Sequence, residues 1–207
     1  MSERDALRAR LHGIYALIDP ARAEPIAFVE ALVRGGVRIV QIRAKDGIDG
    51  TTLVAIVDRV RAAGGVTILN DDIGLARLAD GVHLGQEDAA QYDLAELRAA
   101  FGPRPIIGLS CGTPQEAARV DPAIVDYVGV GPLFATGSKD DAGLPIGVSG
   151  ASAVIAASPV PCAVIGGIDA ATLGRAKETG AAMAAVLSAL AVADPAAAAR
   201  VLVERWG

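Results

Sequence analysis

Aromatic side chains are scarce in this 207-residue chain, making up 3% of it against 52% hydrophobic residues in all. Too few rings remain for a base-stacking platform along single-stranded nucleic acid. The core must instead be filled by Ala, Val, Leu and Ile, which suits helices packed on buried parallel strands. Cysteine is equally sparse. Cys111 and Cys162 stand apart, without zinc or redox spacing, and read as reduced structural thiols; no disulfide framework is needed at this size. There is no basic excess either, because 19 Lys and Arg face 24 Asp and Glu for a net charge of −5. That balance gives no general attraction to nucleic acid or to an anionic membrane, so any phosphate must be gripped locally. No apolar run reaches the roughly 18 residues a membrane span needs, and the charged stretch from Met1 to Gly13 lacks the apolar segment of a secretory signal. A soluble cytoplasmic protein is expected, with partners that are neither nucleic acid nor membrane.

Short apolar runs do recur, each followed by an Ala-rich amphipathic stretch. Strands are expected near 13–18, 37–42, 66–69, 81–84, 105–109, 125–130, 161–165 and 182–187. Helices are expected near 25–35, 51–63, 72–79, 93–101, 114–120, 149–157, 170–179 and 195–205. Asp194-Pro195 is an N-cap followed by a first-turn proline, while Gly35-Gly36, Gly64-Gly65 and Gly180 sit where helices should stop. Eight units in 207 residues leave about 26 residues each, enough for a strand, a helix and two short loops. The number of units favours a closed (β/α)8 TIM barrel over an open doubly wound sheet, which usually has five or six strands. No linker divides the chain, and its length lies below the roughly 250 to 300 residues at which one core splits, so residues 1–207 are expected to form a single domain.

Four of the strand candidates end abruptly in polar clusters. Val37-Arg38-Ile39-Val40 runs into Gln41-Ile42-Arg43-Ala44-Lys45, Val66-Thr67-Ile68-Leu69 into Asn70-Asp71-Asp72, Gly81-Val82-His83-Leu84 into Gly85-Gln86-Glu87-Asp88, and Ile106-Ile107-Gly108-Leu109 into Ser110. The carboxyl ends of neighbouring parallel strands converge on one rim, where α/β proteins bind ligands. Gln41, Arg43 and Lys45 share one parity of the strand and together suit an anionic substrate, the alternative being that the two cations are solvated surface charge. Asp71 and Asp88 would sit at adjacent points of the rim, either holding Mg²⁺, which commonly takes one or two carboxylates, or simply capping a helix and a turn. The loop after the sixth strand offers Thr136, Ser138 and Lys139 to a phosphate, with Asp140 and Asp141 opposing unless they face away. After strands seven and eight, Gly166-Gly167 and Leu187-Ser188 match the places where such barrels bind phosphate. His83, within the fourth strand, is expected to point outward or to be satisfied structurally. Neither it nor His12 pairs by sequence with a Ser or Cys, and Cys111 has no identifiable base, so acyl transfer is disfavoured.

Taken in order, Gln41-x-Arg43-x-Lys45, Asn70-Asp71, Gly85-Gln86-Glu87-Asp88, Gly129-Val130-Gly131-Pro132 and Gly166-Gly167-Ile168 resemble thiamine phosphate synthase, from Tyr15 to the C-terminal helix. The resemblance implies a transferase of thiamine biosynthesis that joins 4-amino-2-methyl-5-(diphosphooxymethyl)pyrimidine to a thiazole phosphate with Mg²⁺, releasing pyrophosphate. It implies Asp71 and Asp88 as Mg²⁺ ligands, and Gln41, Arg43, Lys45, Asn70, Ser110 and Lys139 as contacts to the pyrimidine diphosphate. Arg43, Lys45, Ser110 and Lys139 would take part in catalysis, and Thr136, Ser138, Gly167, Leu187 and Ser188 would hold the thiazole phosphate. It implies as well a largely dissociative reaction needing no nucleophile from the protein. The chain departs from the pattern at Gly112, where the family commonly has a histidine. A tautomerase-like paralogue or a noncatalytic phosphate-binding barrel is the alternative; the joint presence of Asp71, Asp88, Arg43 and Lys45 favours the synthase. The sequence is compatible with a homo-oligomer.

Overall fold

Side chains alternate inward and outward along eight short parallel strands, and this period of two sorts the apolar residues into distinct cores. In the computed structural model, which describes residues 2–21, 24–137 and 143–207, the strands are β1 (Gly13–Ile18), β2 (Ile39–Ile42), β3 (Val66–Asn70), β4 (Gly81–Leu84), β5 (Ile106–Cys111), β6 (Tyr127–Val130), β7 (Cys162–Ile165) and β8 (Met183–Val186). Each pairs with the next, and β8 returns to β1 through Gly13↔Met183 to Ala16↔Val186, closing the barrel. Inside lie Tyr15, Leu17, Ile39, Ile68, Ile106, Tyr127, Ala163, Met183 and Ala185, packed as one cluster. Outward residues such as Ile14, Val40, Leu69, Val128, Val164 and Ala184 pack beneath the helices.

The helices are α1 (Glu3–Arg8), α2 (Pro25–Arg34), α3 (Gly50–Ala62), α4 (Gln86–Ala89), α5 (Leu94–Phe101), α6 (Pro114–Ala118), α7 (Gly147–Ala157), α8 (Leu173–Lys177) and α9 (Pro195–Trp206). Asp49 caps α3 by accepting from Thr52 N at 2.9 Å, and Leu53, Ile56, Val57 and Val60 form its buried stripe. Asp194 and Pro195 open α9 as expected.

Several elements differ from the sequence reading, among them α4 and a 3-10 turn at Ser188–Leu190, neither of which was anticipated. Residues 72–79 form turns rather than a helix. There Asp72 Oδ1 accepts from Leu75 N at 2.9 Å and Asp71 O accepts from Ile73 N, local bonds that compete with a helical ladder. The N-terminal α1 was not anticipated. Its capping box, Ser2 with Asp5, starts it, and Leu7 and Leu11 join the interior cluster, so it plugs the amino-terminal mouth.

Beneath the barrel, Asp126 is fully buried at the start of β6, where it accepts from Ile107 N at 2.8 Å and pairs with Arg4 and Arg98, each at 2.7 Å. Asp80, before β4, likewise accepts from Thr67 N and pairs with Arg61 and Arg104. These carboxylates tie helices to strand starts at the end opposite the polar clusters.

Candidate active site

The carboxyl ends of the strands enclose a cavity of about 760 Å³. Gln41, Arg43, Lys45, Asn70, Asp71, Asp88, Ser110, Thr136, Gly167, Leu187 and Ser188, dispersed over 148 positions of sequence, all line it. Ser138 and Lys139, with the neighbouring Asp140 and Asp141, lie outside the described residues, and so do the contacts expected of them.

Arg43 follows β2, its N–H bonded to Ile18 O at 2.8 Å, so the strand direction carries it and Lys45 onto the rim. Within the described residues neither cation forms a hydrogen bond or an ion pair, so both remain available to an anion. After the neighbouring strand β3, Asp71 takes φ +61°, the only positive value among the described non-glycine residues. Asp tolerates this region better than most residues. Its N–H bonds His83 O at 2.9 Å and its Oδ1 accepts from Gly85 N at 3.0 Å, so the conformation is fixed from β4. Asn70 Nδ2 donates to the other carboxylate oxygen.

Asp88, in α4, faces Asp71 across Gly85. A side chain starting on Gly85 would lie 3.1 Å from Asp88 Oδ2 and 3.9 Å from Asp71 Oδ1, which leaves glycine as the residue that keeps the space between them open. Burial, and next the charge of Asp88, push the Asp71 carboxyl above its ordinary range, against the pull of Gly85 N–H and Arg43. Among the described residues neither carboxylate has a protein cation bonded to it. Two adjacent carboxylates left without a counter-ion fit a hard divalent cation that fills its other positions with water and substrate oxygens.

At Gly112 the backbone N–H donates to Glu116 Oε2 at 2.7 Å, and Gln86 Nε2 donates to the same oxygen. The loop after β5 is thereby tied to α4 and α6 through Glu116. On the far side, Gly166 and Gly167 (φ +106° and +63°) lie under the loop after β6. A Cβ on Gly167 would come within 2.6 Å of Ala135 O, and Phe134 N donates to Gly166 O at 3.1 Å. Phe134 itself lies beneath the Arg175 guanidinium, 4.9 Å from it.

Below the rim, sequence reasoning missed Tyr15 and Tyr127, and it left open where His83 points. Tyr15, His83 and Tyr127 are buried inward-facing residues that line the cavity floor. A signal was present in the glycines: a Cβ on Gly108 would strike the Tyr127 ring at 2.3 Å, and one on Gly129 would lie 3.1 Å from His83 Cε1. His83 is satisfied structurally, its two nitrogens within 3.0 and 3.1 Å of Tyr127 Oη and Ser110 Oγ. Burial, and secondarily Arg43, push it down to about 4, while burial raises both phenols. The floor is therefore uncharged at neutral pH.

A depressed histidine costs stability in acid. On acidification the unfolded chain takes a proton on His83 near 6.5, whereas the folded chain does not until about 4. Stability should fall through that window, by roughly 3 kcal/mol at its lower end. Urea midpoints measured from pH 7 to 4 check this, and a His83→Gln variant with the same pH slope would contradict it.

Among the described residues the arrangement thus offers two cations with no hydrogen-bond or ion-pair partner, a carboxylate pair and an uncharged floor, with Ser110 within hydrogen-bond reach of neutral His83. The family described as thiamine monophosphate synthase matches residues 14–190. The chain belongs to the thiamine monophosphate synthase family. A thiamine-phosphate synthase of Moorella thermoacetica is 42% identical over 186 residues, covering 86% of this chain and 87% of that protein. One of Xanthobacter autotrophicus is 42% identical over 199 residues, covering 91% and 92%. Among solved structures, a thiamine phosphate pyrophosphorylase of Pyrococcus furiosus superposes with a TM-score of 0.81 at 27% identity, covering 96% of this chain and 98% of that one. The thiamine monophosphate synthase family thus accounts for the barrel.

Proposed function

We propose that this chain is a transferase of thiamine biosynthesis that joins 4-amino-2-methyl-5-(diphosphooxymethyl)pyrimidine to a thiazole phosphate, giving thiamine phosphate and pyrophosphate. The observation that carries the reading is the meeting of Arg43 and Lys45 with the Asp71/Asp88 pair at one mouth, in a chain of this family. Arg43 and Lys45 bind the diphosphate and stabilise negative charge as the C–O bond to it breaks. Asp71 and Asp88 would hold Mg²⁺, which supplies further charge neutralisation to the departing pyrophosphate.

Gln41, Asn70 and Ser110 orient the pyrimidine, while Thr136, Gly167, Leu187 and Ser188 hold the thiazole phosphate across the cavity. The breaking bond leaves its electron pair on pyrophosphate, and the thiazole nitrogen lone pair forms the new bond to the pyrimidine methylene carbon. Neutral His83 and the two protonated phenols place no positive charge beneath that carbon, which suits a cationic methylene in passing. Holding two rings in line supplies the remaining advantage. No helix among the described residues is long and apolar enough to cross a membrane, and the cytoplasm is the compartment proposed.

Incubation of the purified protein with both substrates and Mg²⁺ should yield thiamine phosphate and pyrophosphate in equal amounts. No product from the complete mixture would overturn the assignment.

A further inference from the structure

Five polar side chains are joined in single file across the cavity floor. Gln41 Nε2 donates to Tyr15 Oη at 2.8 Å, Tyr15 Oη lies 2.7 Å from Tyr127 Oη, Tyr127 Oη lies 3.0 Å from His83 Nδ1, and His83 Nε2 lies 3.1 Å from Ser110 Oγ. The inner members are sealed from water, at 2% exposure for Tyr15, none for Tyr127 and 9% for His83. Gly108 and Gly129 supply the space their rings occupy. An unmade hydrogen bond in such a place costs about 1 to 3 kcal/mol, so the protons must be arranged to satisfy every donor.

With Gln41 donating, that requirement gives the chain a direction. Each phenol has one proton. Tyr15 accepts from Gln41, and its own proton then has Tyr127 as its only acceptor. The Tyr127 proton in turn can go only to His83 Nδ1. A neutral imidazole that accepts at Nδ1 carries its proton on Nε2, which donates to Ser110 Oγ. With Gln41 donating to Tyr15, a doubly protonated ring would force the Tyr127 proton back onto Tyr15 and leave the Tyr15 proton without an acceptor. Ser110, already accepting from the ring, is left with its own hydroxyl proton to give to whatever occupies the cavity. At the other end Gln41 Oε1 accepts from no described residue, and Gln41 lines the same cavity. With the Gln41 amide donating to Tyr15, the two ends present opposite characters: Gln41 offers an acceptor and Ser110 a donor.

We infer that this one-way relay reads the donor and acceptor pattern of the bound ring, with Tyr15, Tyr127 and His83 as positioning residues that select a 4-aminopyrimidine over its 4-oxo counterpart. The inference rests on the cavity being a pyrimidine site, as proposed above. A 4-aminopyrimidine has a donor on its exocyclic nitrogen beside an acceptor ring nitrogen, complementary to Gln41 Oε1 and the Ser110 hydroxyl. The 4-oxo ring in its lactam form carries a carbonyl beside a ring N–H and reverses both. Sites that hydrogen-bond a ligand discriminate strongly because the mismatched ligand leaves buried polar groups unpaired.

Two measurements test it. The ¹⁵N resonances of His83 in the ligand-free protein should show a neutral ring protonated on Nε2; protonation on Nδ1, or on both nitrogens, would overturn the direction assigned here. Calorimetric binding of the unreactive 4-amino- and 4-oxo-2-methyl-5-(phosphooxymethyl)pyrimidines should then favour the amino ring. That preference should fall about tenfold in Tyr127→Phe, and similarly in Tyr15→Phe, which breaks the relay one link further from Ser110. An equal loss of affinity for both rings would reduce the tyrosines to packing and overturn the selectivity. If the wild-type protein keeps the Nε2 proton yet binds neither ring, the pyrimidine reading of the cavity fails, and the selectivity with it.

Discussion

Asp71→Asn should lower the rate of Mg²⁺-dependent coupling by on the order of a thousandfold, the scale on which removing one transition-state electrostatic group acts. Asparagine is the more informative replacement here. It keeps the tolerance for φ +61° that alanine lacks, so the turn between β3 and β4 survives while the charge is lost. Its side chain still accepts from Gly85 N through one oxygen. What disappears is half of the carboxylate pair that would hold the metal against the diphosphate, and Asp88→Ala should remove the other half with a comparable loss. Chelation of the wild-type protein with EDTA should mimic both. Steady-state rates against Mg²⁺ concentration, with circular dichroism to confirm folding, decide the matter; wild-type turnover by Asp71→Asn, or in EDTA, would sink the assignment.

The largest effect on stability should come from the opposite mouth. Asp126→Ala is expected to cost about 3 to 5 kcal/mol, the range measured when one partner of a buried ion pair is removed. The carboxylate is fully buried and meets four groups at once: Ile107 N at 2.8 Å, Arg4 Nε at 2.7 Å, Arg98 at 2.7 Å and Arg8 Nε at 3.6 Å. Burial disfavours the Arg98 guanidinium, and the Asp126 carboxylate beside it offsets part of that penalty. Without the carboxylate, a half-buried guanidinium and a strand N–H lose their partner together, and α1 loses a tie to the barrel. Urea unfolding measures the loss, and a change below about 1 kcal/mol would show that water or a neighbouring carbonyl takes over. Activity at low temperature should persist, since the cavity lies at the other end of the strands.

These two carboxylates differ in how readable they were. Asp71 stood at the end of an apolar run beside Asn70, in a cluster whose chemistry was conspicuous before any coordinates. Asp126 sat inside the expected sixth strand and drew no notice, because its partners come from α1, β5 and α5, far away in sequence. The strands were legible for the same reason as Asp71: a run such as Gly81-Val82-His83-Leu84 bounded by turn residues needs no distant information. Residues 72–79 misled because the apolar spacing of Ile73, Leu75, Ala76 and Ala79 suits a helix. The Asp72 side chain and the strained turn at Asp71 instead commit the backbone to local bonds.

The repeat of strand and helix, and the order of the polar clusters, were enough to determine a closed barrel with a polar rim, because strand parity and chain direction are local properties. The partners of the floor residues were not. Gln41, Tyr15, Tyr127, His83 and Ser110 come from five different strands, and only the register that brings Asn70 beside His83 and Ser110 beside Gly129 decides which oxygen meets which nitrogen. A hydrogen bond acts over about 3 Å, so its existence depends on closure of the whole barrel rather than on any segment of the chain.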